Sequence, residues 1–279
     1  MKIIFSKKCL EYYQLGHPES PERIRESYKF LKSKNYEFIK PKPCSDKDLL
    51  LVHTKEHIES VKKRSFFDLD TPNLPNIYEY AKLAAGSAIL ASNLAFKEKT
   101  FSLMRPPGHH ASFKPEGFCY FNNIAIAIQK QLDKIKKAAI LDIDVHHGNG
   151  TENIFLKNKK VLYVSLHQFP LYPGSGLKSK ENCINFPLPP GTNEKTYLEK
   201  LKLALKKIKN FNPELLGISA GFDSYEKDNL SDFNLKITTY KKIGNLIKKL
   251  NIPAFAVLEG GYSKDIKFCI YEFLKGLES

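Results

Sequence analysis

Residues 138–150 read Ala138-Ala-Ile-Leu-Asp-Ile-Asp-Val-His-His-Gly-Asn-Gly150. The first half is a near-continuous apolar run, the pattern of a strand buried on both faces; the second half is a polar, glycine-bearing turn. Runs of the same kind recur at Lys2–Phe5, Thr100–Met104, Val161–His167, Leu215–Ala220 and Ala254–Glu259, so the strand at the centre is expected over Ala138–Val145. Between them lie helical patterns at Pro21–Lys34, Ile77–Lys97, Asn122–Lys134, Asn193–Lys209 and Leu235–Leu250. Strand and helix alternate along the chain, which predicts an α/β fold with a single, mostly parallel sheet flanked by helices. The 279 residues hold no repeat, low-complexity tract or linker, and read as one domain over 1–279.

Composition narrows the class. Hydrophobic residues make up 42% and charged residues 27%, values that argue against disorder. No run of about 18 apolar residues occurs, and Lys2-Ile3-Ile4-Phe5 is too short to head a signal peptide. The chain therefore reads as cytoplasmic, with no membrane partner. Its five cysteines (Cys9, Cys44, Cys119, Cys183 and Cys269) are scattered, which suits reduced thiols and rules out a cysteine-built zinc module. The net charge of +14 is almost all lysine, on stretches such as Lys200–Lys209 and Lys241–Lys249. Aromatic residues do not interleave with it as single-strand binders require, so the charge reads as a solvated surface and no specific nucleic-acid partner is expected.

In parallel α/β sheets the ligand site lies outside the carboxyl ends of the strands. The reactive residue types gather there. Arg105-Pro-Pro-Gly-His-His110 follows one strand, Asp142 to Gly150 ends another, Gly221-Phe-Asp223 follows a third and Glu259-Gly-Gly-Tyr262 a fourth. Asp142, Asp144 and His146, spaced i, i+2 and i+4, would all point to one side of an extended strand end. Two carboxylates and an imidazole so placed are costly to bury without a cation. Asp144, His146 and Asp223 would make a neutral site around a divalent ion, with one coordination position open, the catalytic arrangement. Zinc suits the set, and iron(II) or cobalt(II) also fits it. His109 and His110 can move protons near neutral pH. Asp142 and Asn149 are placed to accept from their outer ring nitrogens, so the two rings need not share a protonation state. Tyr262 could donate its hydroxyl to a developing oxyanion.

At these residues the sequence resembles the histone deacetylase family, in its class II and bacterial deacetylase-like branch. The matching stretches are Arg105-Pro-Pro-Gly-His-His-Ala111, Gly117-Phe-Cys-Tyr-Phe-Asn-Asn123, Leu141 to Thr151, Ser219-Ala-Gly-Phe-Asp223 and Leu258-Glu-Gly-Gly-Tyr262, with His17 to Arg23 resembling the entry motif. The resemblance implies the arginase/deacetylase fold with about eight strands, and hydrolysis of an acyl-amine bond assisted by zinc. It assigns Asp144, His146 and Asp223 as zinc ligands, His110 as general base and acid, His109 as an electrostatic partner and Tyr262 as the group that polarises the carbonyl. It also gives Gly117, Phe118 and Tyr172 as walls of an acyl-lysine tunnel. Leu230, Gly260 and the rim aspartate Asp70 complete the substrate contacts. Arg23 matches the arginine of an internal channel. Asp142, Asp144, His146, Ser165 and Leu166 match an inner monovalent-cation site, where potassium is usual, and Phe155 and Val161 an outer one.

Some of these residues have plainer readings. Phe118 and Tyr172 could be core aromatics, Asp70 a solvated turn, Cys119 a packed thiol, and Leu83 to Gly86 a close helix contact. Three functions compete: a protein-lysine deacylase, a deacetylase of small acetylated amines such as acetylpolyamines, and a metal- or acyl-lysine-binding module without turnover. The third requires a lost catalytic residue, and none is missing. A dinuclear arginase-like enzyme is disfavoured by Gly148, Ser224 and Tyr225 where that chemistry wants carboxylates. An acidic gatekeeper for polyamines is replaced by Leu230, and the basic surface repels a polycation at a distance. The short chain leaves little room for the dimerisation insert of acetylpolyamine amidohydrolases, which favours a monomer. Acyl-lysine in peptides or proteins is therefore the preferred substrate.

Overall fold

The computed structural model describes residues 1–278. Eight strands build one sheet: β1 Lys2–Ile4, β2 Glu37–Ile39, β3 Thr100–Ser102, β4 Ala138–Asp142, β5 Val161–Gln168, β6 Cys183–Leu188, β7 Leu215–Ala220 and β8 Ala254–Leu258. Their order is β2-β1-β3-β8-β7-β4-β5-β6, and every pairing is parallel. The sheet expected to be mostly parallel is parallel throughout. The helices are α1 Pro21–Ser33, α2 Asp46–Leu49, α3 Lys55–Lys63, α4 Ile77–Leu94, α5 Asn123–Gln131, α6 Asn149–Phe155, α7 Glu194–Phe211, α8 Ile237–Lys248 and α9 Ile266–Glu278.

Alternation along the strands sorts side chains to two faces. Ala139 and Leu141 of β4 join a core with Ile24 of α1, Leu201 of α7, Ile243 of α8 and Phe273 of α9. Their neighbours Ala138 and Ile140 join a second core with Ala88 and Ala91 of α4 and Ile124 and Ile128 of α5. Both faces are covered, which is why the central strands read as continuous apolar runs. The two strands that the sequence pattern did not predict, β2 and β6, form the sheet edges. Each is only partly buried, and β6 carries Pro187, which an edge strand tolerates.

Strand β4 also stops earlier than expected, at Asp142 instead of Val145. Beyond it the chain bends onto its own carboxylates: Asp144 N–H donates to Asp142 Oδ1 at 3.1 Å and His146 N–H to Asp144 Oδ1 at 2.9 Å. Helix α6 begins at Asn149 inside a glycine-bearing stretch that reads as a turn. Gly86 of α4 packs against backbone, since a Cβ there would stand 2.0 Å from Lys42 O; the close contact is with an irregular segment, not another helix.

The N-terminal segment is tied to the sheet by buried charge. Arg105, 1% exposed, donates from Nε and Nη2 to the two oxygens of Glu19 at 2.6 and 2.7 Å. Its Nη1 donates to Cys9 O and Tyr12 O, both at 2.8 Å, and Glu19 also accepts from Arg23 Nη1 at 3.1 Å. Burial pushes the Glu19 carboxyl up, but the two guanidiniums outweigh it and hold the group below the usual range. Removing one partner of such a buried set leaves an uncompensated charge and costs about 3–5 kcal/mol. Glu19→Gln should lower the urea midpoint accordingly, whereas Glu22→Gln, which removes an exposed i,i+3 pair with Arg25, should leave it in place.

Candidate active site

Strands β3, β8, β7, β4 and β5 are neighbours in the sheet, and the loops at their carboxyl ends carry the predicted site residues. Asp144, His146 and Asp223 come together, each offering one ligand atom, with all of these atoms within 4.8 Å of one another. It is the one such group of three among the described residues. Both carboxylates are fully buried, and Asp223 Oδ2 has no hydrogen-bond donor although His146 Nδ1 lies 3.2 Å away. Backbone closes round them: a Cβ on Gly260 would stand 2.0 Å from Asp223 Oδ2, and one on Gly221 would stand 2.2 Å from Asp144 Oδ2. Burial and the charge of Asp144 lift the Asp223 carboxyl to about 7. Burial opposes the ionised form of Asp144 as well, yet His109 and His146 hold that carboxyl well below its usual range. A divalent ion with nitrogen and oxygen ligands would satisfy the orphaned oxygen and let both carboxylates ionise, so these residues fit the implied metal.

Asp142 does not point with them. Its Oδ2 accepts from His109 Nδ1 at 3.1 Å and from the Tyr163 hydroxyl at 2.9 Å. The reason is local: Asp142 is the last strand residue, whereas Asp144 and His146 lie in the bend beyond, where the period of two no longer holds. The expectation that all three face one side is therefore corrected, while its pairing with His109 stands.

The tandem histidines, with ring centroids 4.1 Å apart, sit in opposite environments. His109 loses hydration on burial, but the charges of Asp144 and Asp142 more than offset this and raise it to about 10. Burial and the positive charges of His109 and His146 drive His110 well below the ordinary imidazole value. His110 Nδ1 donates to Asn149 Oδ1 at 2.7 Å, which leaves the Nε2 lone pair free to take a proton.

Both rings line a cavity of about 230 Å³, together with Asp70, Pro107, Gly117, Phe118, His146, Leu171, Tyr172, Leu230, Gly260 and Tyr262. All the expected tunnel residues are therefore present in one cavity wall. Phe118 is only partly buried and lines the cavity, and Tyr172 is 38% exposed, so neither is a core aromatic. Cys119 is a packed thiol, buried, with Sγ 3.3 Å from Gly117 O. Arg23 lies under the Gly-Gly-Tyr turn: Nε and Nη2 donate to Gly261 O and Glu259 O, each at 2.6 Å, and its guanidinium stacks 4.6 Å from the Tyr262 ring centroid. Ser165 faces Asp142 across β4 and β5, its hydroxyl 2.8 Å from His167 Nδ1, and Leu166 is buried in the core. The carbonyls of Phe155 and Val161, expected at an outer cation site, both accept from Asn182 Nδ2, at 2.7 and 2.8 Å.

A histone deacetylase domain model matches residues 17–275. The chain belongs to the histone deacetylase family. A probable deacetylase of Archaeoglobus fulgidus is 36% identical over 291 residues, covering 94% of this chain and 81% of that protein. An acetylpolyamine amidohydrolase of Mycoplana ramosa is 37% identical over 223 residues, covering 75% of this chain and 65% of the relative. The crystal structure of the HDA15 HD domain superposes with a TM-score of 0.93 at 31% identity, covering 100% of this chain and 91% of that one. The chain is thus a hydrolase of the deacetylase and amidohydrolase kind. No helix among the described residues is long and apolar enough to cross a membrane.

Two carboxylates of this site are given no role by the sequence reading, which sets Asp228 aside as out of register with the gatekeeper position at Leu230. Glu259 is fully buried, and its Oε2 accepts from Gly108 N–H at 2.7 Å and His109 N–H at 3.2 Å, which pins the histidine loop. Asp228 Oδ2 accepts from Tyr262 N–H at 2.6 Å and Ser263 N–H at 3.0 Å, and Oδ1 from Leu230 N–H at 3.1 Å. Glu259 stood inside a quoted motif, where its neighbours drew the attention; nothing local marks Asp228. The ligand set predicts that dialysed wild-type protein retains about one divalent ion per chain. Asp223→Asn and Asp144→Ala should each lose that ion by elemental analysis with circular dichroism unchanged, and an ion retained by both would exclude these ligands.

Proposed function

We propose that residues 1–279 act as one catalytic domain, a zinc-dependent deacylase that removes acetyl or other acyl groups from the ε-amine of lysine in peptides or proteins. One observation carries the reading: two adjacent histidines, one backed by the carboxylate of Asp142 and one by the amide of Asn149, line a cavity with His146 of the three-residue candidate metal site. Asp144, His146 and Asp223 would hold the ion, with iron(II) or cobalt(II) as substitutes. When bound, it supplies Lewis acidity towards the scissile carbonyl and towards water.

The chain's own residues do the rest. His110, neutral with Nδ1–H anchored on Asn149, accepts the proton of the attacking water at Nε2. His109 keeps its Nδ1–H on Asp142 and contributes fixed positive charge. The Tyr262 hydroxyl donates to the oxyanion that develops on the former carbonyl oxygen, and His110 returns the proton to the leaving amine. Phe118 and Tyr172 flank the lysine stem, with Gly117, Gly260 and Leu230 along the remaining wall and Asp70 at the rim. Asp142, Asp144, His146, Ser165 and Leu166 are assigned to a structural potassium ion, and Arg23 to an internal channel beneath the metal.

The second reading, a deacetylase of small acetylated amines, has the Mycoplana relative in its favour. Against it, the only carboxylate among the lining residues is Asp70, since Asp228 is turned inward onto backbone N–H groups. Asp70 is the single negative charge on that wall, and Leu230 stands where an acidic gatekeeper would hold a polycation. The measurement that decides is kcat/KM across acetyl-lysine peptides, longer acyl-lysine peptides and acetylated polyamines: peptides should lead, and exclusive turnover of polyamines would reverse the assignment. Tyr262→Phe should lower kcat by about 10²–10³ with metal content unchanged, the loss expected for one oxyanion donor.

A further inference from the structure

The three most exposed large apolar side chains of the described residues are Leu15 at 93%, Leu69 at 89% and Phe67 at 83%. They are 52 or more positions apart in two groups, yet the loops that carry them meet. His17 Nε2 donates to Asp70 O at 3.1 Å, joining the loop of Leu15 to that of Phe67 and Leu69. Both loops are seated on Phe118, a wall of the cavity: the His17 ring packs edge-on at 4.6 Å between centroids, and Phe118 N–H donates to Thr71 Oγ1 at 3.0 Å. Asp70, directly after Leu69, lines the cavity mouth. The loops are therefore anchored from beneath while their apolar side chains face water.

Two adjoining loops beside the mouth thus carry the three most exposed large apolar side chains of the described residues, ahead of Phe113 at 72% and Tyr13 at 66%. The acidic residues Asp68 and Asp70 alternate with Phe67 and Leu69, in a protein of net charge +14. Exposed apolar side chains gathered beside a pocket mark a binding region, and the seating of both loops on the cavity wall at Phe118 says what lies on them. Whatever places an acyl-lysine in the cavity extends its backbone across the rim, where Asp70 stands.

We propose that the shelf formed by Leu15, Phe67 and Leu69 seats the residues flanking the acyl-lysine, and so selects peptide segments with a large apolar residue beside the modified lysine. The inference rests on the deacylase reading of the cavity and adds a sequence preference to it. Covering one large apolar side chain is worth on the order of tenfold in affinity. A small acetylated amine does not reach the shelf and gains nothing from it.

The test compares two acetyl-lysine peptides of equal length and charge, one with leucine on both sides of the acetyl-lysine and one with serine. Wild type should favour the leucine peptide by roughly tenfold or more, in KM and not in kcat. In Leu15→Ser/Leu69→Ser that preference should vanish, while turnover of a capped acetyl-lysine amide without flanking residues stays at the wild-type rate. Equal KM values in wild type, or a preference that survives in the variant, would overturn the proposal. So would a shelf that instead drives self-association, or co-sedimentation with phosphatidylglycerol vesicles, with no peptide preference. If no substrate is turned over, the deacylase reading fails by itself. Equilibrium binding of the same two peptides, fluorescently labelled, then decides: tighter binding of the leucine peptide by wild type alone supports the shelf, and equal binding refutes it.

Discussion

Two carboxylates, Asp144 and Asp223, are buried side by side at the end of a parallel sheet, and the rest of the site is arranged around that fact. Neither can be ionised there without compensation. Without a cation, burial and the charge of Asp144 push the Asp223 carboxyl well above its usual range. A divalent ion removes the conflict, and the surrounding backbone anticipates it: glycine at positions 221 and 260 leaves the space that any Cβ would take from the carboxylates. His146 completes the set and His109 adds positive charge from behind.

The loops that surround this centre are not independent. Glu19 binds Arg105, at the head of the histidine loop, and Arg23, which reaches the carbonyls of Glu259 and Gly261 beside Tyr262. The Glu259 side chain then returns to the histidine loop through Gly108 N–H and His109 N–H. The tandem histidines and Tyr262 thus share one buried network of charge-assisted hydrogen bonds. Such networks are costly when incomplete and rigid when satisfied, which suits groups that must hold their geometry. The rim differs. Leu15, Phe67 and Leu69 stand in water on loops fastened mainly by backbone and ring contacts with His17 and Phe118.

The two histidines show how little distance separates opposite roles. Rings 4.1 Å apart are pushed in opposite directions because Asp144 and Asp142 outweigh burial at His109, while at His110 burial acts together with the charges of His109 and His146. Once His109 is cationic it disfavours a second charge on His110, so the division of labour reinforces itself.

The sequence by itself determined the central strands and the parallel α/β class, and it singled out the residues that gather as the candidate metal site and the tandem histidines. All of these lie in short contiguous stretches where a strand buried on both faces runs into a polar turn, and periodicity reports that directly. It also placed Asp142 and Asn149 as the contrasting partners of the tandem histidines, because each stands in the stretch that ends β4. Only the tertiary structure decided the edge strands β2 and β6, whose half-buried patterns carry no strong period, and the end of β4, set by side chains capping their own backbone. It alone revealed Glu259 and Asp228 as anchors and the joining, through His17 and Asp70, of the loops that carry Leu15 and Leu69. Those contacts join residues 34 to 151 positions apart, and the placement of one loop against another depends on how strands are ordered across a sheet. No pattern within a single segment contains that order.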